Sequence, residues 1–145
     1  MYLVDTDVIS AGAPSKHPAP LQLIRWMDEN SDLLFMSCIS VAEIEEGIAK
    51  ARRQGARRKA ERLDGWLETL LHLYGERVLP FGVAAARIAG RLSDRARAHG
   101  TAPGFADLAI AATATAHRFT VLTRNIRHFA PLGVAFHDPF ASLPQ

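Results

Sequence analysis

The chain has 145 residues, the size of one ordinary domain, and 48% of them are hydrophobic, enough for a core that needs no disulfide or structural metal. No run of 18 residues is both apolar and uncharged, which excludes a membrane-spanning helix, and the single cysteine, Cys38, excludes an internal disulfide and a zinc cluster. The net charge of +2 comes mostly from fourteen arginines against Lys16, Lys50 and Lys59, a surface that suits nucleic acid, an acidic protein or plain solvent.

The opening Met1-Tyr2-Leu3-Val4-Asp5 lacks the basic start and long apolar region of a signal peptide, so a cytoplasmic protein is expected. Tyr2-Leu3-Val4 reads as a first strand. Ala13 to Pro20 is a proline-rich loop. Leu21, Leu23, Ile24 and Met27 recur near helical spacing over Leu21 to Glu29. Leu33 to Met36 is a second strand. A helix opens at Ser40 and runs to about Arg53, and a second, charged helix follows from Ala56 to about Tyr74 with Leu63, Trp66, Leu67 and Leu70 on one face. Arg77 to Pro80 is a third strand. Val83 to about Ala98 is helical, with Ile88, Ala89 and Leu92 as its buried stripe. An alanine-rich helix spans Ala106 to His117, a fourth strand Thr120 to Thr123, a short helical turn begins at Asn125, and a fifth strand covers Val134 to Phe136. No internal repeat or low-complexity linker interrupts this order, and one domain over 1–145 is expected.

Short strands alternating with helices imply right-handed crossovers and a mostly parallel sheet covered on both faces. In such α/β sheets the functional crevice lies beyond the carboxyl ends of the strands. The odd polar residues fall there. Asp5 follows strand one, Glu43 lies in the first turn of the helix after strand two, Asp107 opens the helix that feeds strand four, and Asn125 follows strand four. Asp107 sits inside the apolar run Phe105 to Ala111, where an unpaired charge is costly.

Each residue also has a plain structural reading. Asp5 can end a strand or cap the next turn. Ser40-Val41-Ala42-Glu43 matches a capping box, Asp107 suits a helix dipole, and Asn125 suits an N-cap. Asp7 reads as a further ligand, a supporting acid, or a cap for Val8-Ile9-Ser10. Thr6 and Thr123 can orient water or phosphate, and Arg124 can reach substrate phosphates. His99, His117 and His128 read as surface or core residues. The basic run Lys50 to Lys59 reads as a solvated hairpin or a phosphate-tracking surface. The functional reading draws on all the acids at once. Three clustered carboxylates repel unless a cation joins them, and oxygen ligands favour Mg²⁺ or Mn²⁺ over zinc. Such an ion can activate water against a phosphodiester without a nucleophilic side chain.

The stretches Leu3 to Ser10, Ser40 to Gly47, Phe105 to Ala114 and Val121 to Phe129 together resemble the motifs of PIN-domain nucleases, and most closely the VapC and FitB toxins of bacterial toxin–antitoxin pairs. The Val78-Leu79-Pro80-Phe81 segment also fits. The resemblance spans nearly the whole chain. It implies a three-layer α/β/α fold with a five-stranded sheet, a homodimer, and Mg²⁺- or Mn²⁺-dependent endoribonuclease activity on an RNA, with tRNA a target by resemblance only. It also implies a VapB- or FitA-like antitoxin that wraps the toxin. By position, Asp5, Glu43 and Asp107 would be the metal ligands and Asn125 a neutral ligand or water holder. His128 stands where relatives often carry Asp or Glu, and both departures lower the site's negative charge and count against a second ion.

Two rival readings stand beside this one. Asp5-Thr6-Asp7 also resembles the aspartate-nucleophile motif of haloacid-dehalogenase phosphatases, but the lysine and later acidic pair of that chemistry have no good counterpart here. A catalytically inert PIN fold could instead act by binding RNA or a partner.

Overall fold

A computed structural model of the chain describes residues 1–15 and 17–145; Lys16, in the proline-rich loop, lies outside the described residues. Five strands, β1 (Tyr2–Val4), β2 (Leu34–Ser37), β3 (Val78–Leu79), β4 (Thr120–Leu122) and β5 (Phe136–His137), form one sheet in the order β3-β2-β1-β4-β5. Every pairing is parallel, with Val4 level with Met36 on one side and Leu122 on the other. Seven α-helices are described: α1 (Thr6–Ser10), α2 (Leu21–Glu29), α3 (Cys38–Arg53), α4 (Arg57–Tyr74), α5 (Val83–Ala98), α6 (Phe105–His117) and α7 (Ile126–Phe129).

Successive strand residues point to opposite sheet faces, and the core divides accordingly. Leu3 and Val121 face a cluster built from α5 and α6. Val4, Met36 and Leu122 face one built from α1, α3 and α4. The sheet is thus the middle of three layers, and its short strands read as nearly continuous apolar runs because both faces are covered. Helix α6 is apolar all round, with every residue from Leu108 to Ala114 buried. No helix among the described residues is long and apolar enough to cross a membrane.

The expected α2, α5 and β1 have the observed bounds. Elsewhere the ends shift, and one shift changes a residue's role. Helix α3 starts at Cys38 rather than Ser40, capped by the Ser37 hydroxyl, which accepts from the Ile39 N–H. Ser40 is then a fully buried helical residue, and Glu43 lies in the second turn, not the first. The capping box over Ser40 to Glu43 does not exist. Strand β5 also begins two residues later than expected, at Phe136.

The strand order places a switch point between β1 and β4. From β1 the chain winds outward through β2 to β3, then returns to the other side for β4 and β5. Crossovers that diverge leave a crevice beyond the carboxyl ends of the two central strands. Asp5 and Thr123 are the first residues past those ends.

Candidate active site

Asp5 is 3% exposed, and each of its oxygens has a protein donor. Oδ1 accepts the Thr6 N–H at 2.8 Å, so Asp5 caps α1. Oδ2 accepts the Thr123 hydroxyl at 2.8 Å, a bond across the switch point. The Asp5 N–H reaches the Leu122 carbonyl at 2.9 Å, which pins the residue to the end of β4. Burial pushes the Asp5 carboxyl up from 3.8 to about 7, reinforced by the negative charge of Asp7, opposed by the bonds from Thr123 and Thr6, and raised further by Asp107. Asp5, Asp7 and Asp107 therefore share one field although they are far apart in sequence.

Asp7 does not cap α1. Its Oδ2 accepts the Arg124 backbone N–H at 3.0 Å, tying α1 to the segment after β4. Its Oδ1 is buried and has no partner among the described residues. Burial raises the Asp7 carboxyl, while the bond from the Arg124 N–H and the Arg124 charge hold it down. The negative charge of Asp7 adds to the cost of ionising Asp5.

Glu43 is joined to the same edge through Thr6. The Thr6 hydroxyl lies 2.6 Å from Glu43 Oε1 and 2.8 Å from Ser40 Oγ. An ionised carboxylate only accepts, so Thr6 donates to Glu43 and takes its own bond from Ser40. Thr6 and Thr123 thus hold carboxylates in place. Both hydroxyls are bonded to acids, a supporting place beside the expected ligands. Asp107, in the first turn of α6, accepts from His128 of α7, with Nδ1 2.8 Å from Oδ2. His128, expected as a surface or core residue and noted where relatives often carry an acid, is thus the partner of Asp107. The Asn125 side chain caps nothing. Its N–H bonds to the Thr123 hydroxyl oxygen at 3.0 Å, and its carbonyl accepts from His128. The Arg124 guanidinium lies over the Phe140 ring, 4.4 Å from its centre, and so packs as a cation on an aromatic face.

Among the described residues no three acidic, imidazole or thiol groups come close enough to grip one ion together. Asp5, Glu43 and Asp107 converge on one edge, each tied to a neighbour, and do not form a closed three-ligand cage. The donor set still fits a hard divalent cation. It is all oxygen, Asp7 Oδ1 lacks a partner, and Asp5 and Asp7 carry a mutual repulsion that a positive charge would remove. Mg²⁺ in particular keeps several waters and needs only one or two carboxylates.

The basic run from Lys50 to Lys59 is a hairpin between α3 and α4, its charged residues exposed. Glu43 and Lys50, the near end of the run, are seven residues apart on one helix, about 10 Å at 1.5 Å per residue, and the rest of the run lies farther from the acids. An ion pair in it, Arg52 with Asp64 at 3.7 Å, is solvent-exposed.

A sequence profile of the PIN domain matches residues 2–132, and the chain belongs to this family. It is 38% identical to a VapC ribonuclease, Y4jK, of Sinorhizobium fredii, over 97% of this chain and 98% of that protein. It is 34% identical to toxin FitB of Neisseria gonorrhoeae, over 97% of this chain and 99% of that one. The crystal structure of FitAcB from Neisseria gonorrhoeae superposes with a TM-score of 0.83 at 34% identity, covering 98% of this chain and 100% of that one.

Proposed function

We propose that this PIN-domain protein is a divalent-metal-dependent endoribonuclease and the toxin of a toxin–antitoxin pair. One observation carries the reading: the buried Asp5–Asp7 pair, under the added field of Asp107, lies at the sheet's switch point, and Asp7 Oδ1 is buried with no partner among the described residues. Asp5, Asp107 and Glu43 are the residues that would hold Mg²⁺ or Mn²⁺. When bound, such an ion activates water and offsets charge on a phosphodiester during in-line attack. The chain's own work is positional. Thr123 and the Thr6 N–H fix the Asp5 carboxylate, Thr6 and Ser40 orient Glu43, and His128 turns Asp107. Each anchored oxygen keeps lone pairs free for a cation.

Similarity to a VapC ribonuclease supports RNA as substrate, and similarity to toxin FitB supports the toxin role. Similarity to the FitAcB and FitAB complexes supports pairing with a FitA- or VapB-like antitoxin, and a cytoplasmic homodimer is part of the same proposal. PIN membership leaves no support for the phosphatase alternative.

The test is cleavage of RNA by the purified chain freed of any partner. Cleavage should need Mg²⁺ or Mn²⁺ and stop with a chelator. Asp5→Asn and Asp107→Asn should each slow it by about a thousandfold or more, about 4 kcal/mol of lost transition-state stabilisation. Mn²⁺ affinity measured by calorimetry should fall in parallel. Unchanged cleavage in both variants overturns the enzyme reading, and an intact chain that binds a partner yet cuts no RNA is an inert binding module.

A further inference from the structure

At the opposite edge of the sheet, a cleft of about 530 Å³ lies where α5, the end of α6 and the approach to β4 and β5 meet, and Arg91, Arg95 and Arg118 line it. We propose that this cleft is a second, non-catalytic phosphate site that anchors the RNA strand away from the point of cutting. The inference rests on the ribonuclease reading and deepens it.

Three features single the cleft out. All three arginines are exposed, and among the described residues no carboxylate lies within ion-pair distance of any of them. Arg91 and Arg95 are one helical turn apart on α5, and like charges at that spacing repel, so the arrangement works against the helix unless an anion joins them.

Second, the backbone makes room for the cluster. Gly133 sits at φ +65°, and a Cβ there would come within 3.1 Å of Arg95 Nη1. A side chain at 133 would push the guanidinium aside.

Third, Arg118 ends α6 in the left-handed region at φ 59°, the one such non-glycine residue among those described. Glycine is the favoured residue at this position of a helix end, since any Cβ is strained there. An arginine held at that cost lines the same cleft.

Guanidinium forks match phosphate oxygens two at a time. The cleft borders Thr120, the first residue of β4, and the acid edge holds Thr123, the first residue past its end. At about 3.3 Å per residue the two edges are about 10 Å apart along the strand direction. Val121 and Leu122 between them are fully buried, so an RNA strand would reach both edges by passing around the β5 rim of the sheet. Phe119 in the cleft is already packed on Phe35, at 4.6 Å between ring centres, so base stacking is not part of the proposal.

Binding of a long single-stranded RNA to the intact chain, followed by fluorescence anisotropy in chelator at rising salt, tests this. Removing three phosphate contacts should lower the slope of log affinity against log salt by about 2. The triple variant Arg91→Gln, Arg95→Gln, Arg118→Gly should therefore bind at least about tenfold more weakly at low salt. With Mg²⁺ restored it should cut a tetranucleotide at the native rate. The single variant Arg118→Gly relieves backbone strain, so it should melt at or above the native temperature and still bind RNA more weakly, which separates lost binding from lost folding. Unchanged affinity and salt slope in the triple variant, with normal cleavage, overturn this site alone. A native chain that binds no RNA overturns both the site and the ribonuclease reading. Arginine-dependent binding of polyglutamate in place of RNA overturns the proposal and assigns the cleft to an acidic protein segment.

Discussion

The two edges of the sheet carry charge in opposite ways. Beyond the carboxyl ends of β1 and β4 four acids, partly or wholly buried, are each fixed by a named donor: Thr123 on Asp5, the Arg124 N–H on Asp7, Thr6 on Glu43, His128 on Asp107; the Arg124 guanidinium beside them is laid on the Phe140 ring. At the amino ends the charges are arginines, exposed and free of ion pairs among the described residues. The acid edge is costly when empty and rigid. The basic edge is solvated and costs little. Fixed, desolvated carboxylates suit a small hard ion whose geometry is demanding. Solvated arginines suit a long, flexible polyanion that is held by charge.

The sharpest way to break this contrast is pH. Asp5 titrates at about 7 in the folded chain against 3.8 for an ordinary aspartate. Between those values the folded state keeps a proton that the unfolded state has lost, so stability falls as pH rises through that window, by roughly 3–4 kcal/mol in total. Asp5→Asn removes this slope and keeps a capping side chain. In chelator the variant should match the native chain near about pH 4 and exceed it above about pH 7, with the gap opening in between. Saturating Mn²⁺ should raise the melting temperature of the native chain and not of the variant. Thermal melts across this range read the effect, and a gap that does not widen with pH contradicts a strained, desolvated Asp5.

Thr123→Val should come next in size. The hydroxyl is fully buried, donates to Asp5 and accepts from the Asn125 N–H. Valine has the same shape and leaves both partners unpaired, a loss of about 1–3 kcal/mol in urea unfolding, while Thr123→Ser should recover most of it. The smallest effect should come from the other edge, with the opposite sign. Arg91→Gln removes like-charge contacts one turn away at Arg87 and Arg95, so it should stabilise by about 0.2–0.5 kcal/mol at low salt and by nothing at high salt. A destabilising Arg91→Gln would mean that the basic edge, too, is held by structure.

Much of the fold was legible because apolar spacing is local. The α2, α5 and β1 bounds, the alternation of strand and helix, and the parallel sheet all follow from residues that are neighbours in sequence. The start of α3 was misread because Ser37 and Ser40 both offer a capping hydroxyl, and only packing decides that Ser40 goes inward to meet Thr6. Helix α1 shows no periodic pattern because five residues are too few; the sequence offers both Asp5 and Asp7 as its cap, and packing selects Asp5.

The acids themselves were readable as types in place: carboxylates just past strand ends, or alone in an apolar run. What each one touches was not. Thr123 on Asp5 joins residues 118 apart, and His128 on Asp107 joins residues 21 apart. The arginine cleft depends on a turn at Gly133 and a helix end at Arg118 that no spacing rule connects. Sequence fixes which groups are charged and which segments are helix or strand, since propensity and periodicity act over a few residues. Pairing, burial and therefore proton affinity depend on distance through the folded chain, and only the packed sheet, with β1 and β4 side by side, supplies that distance.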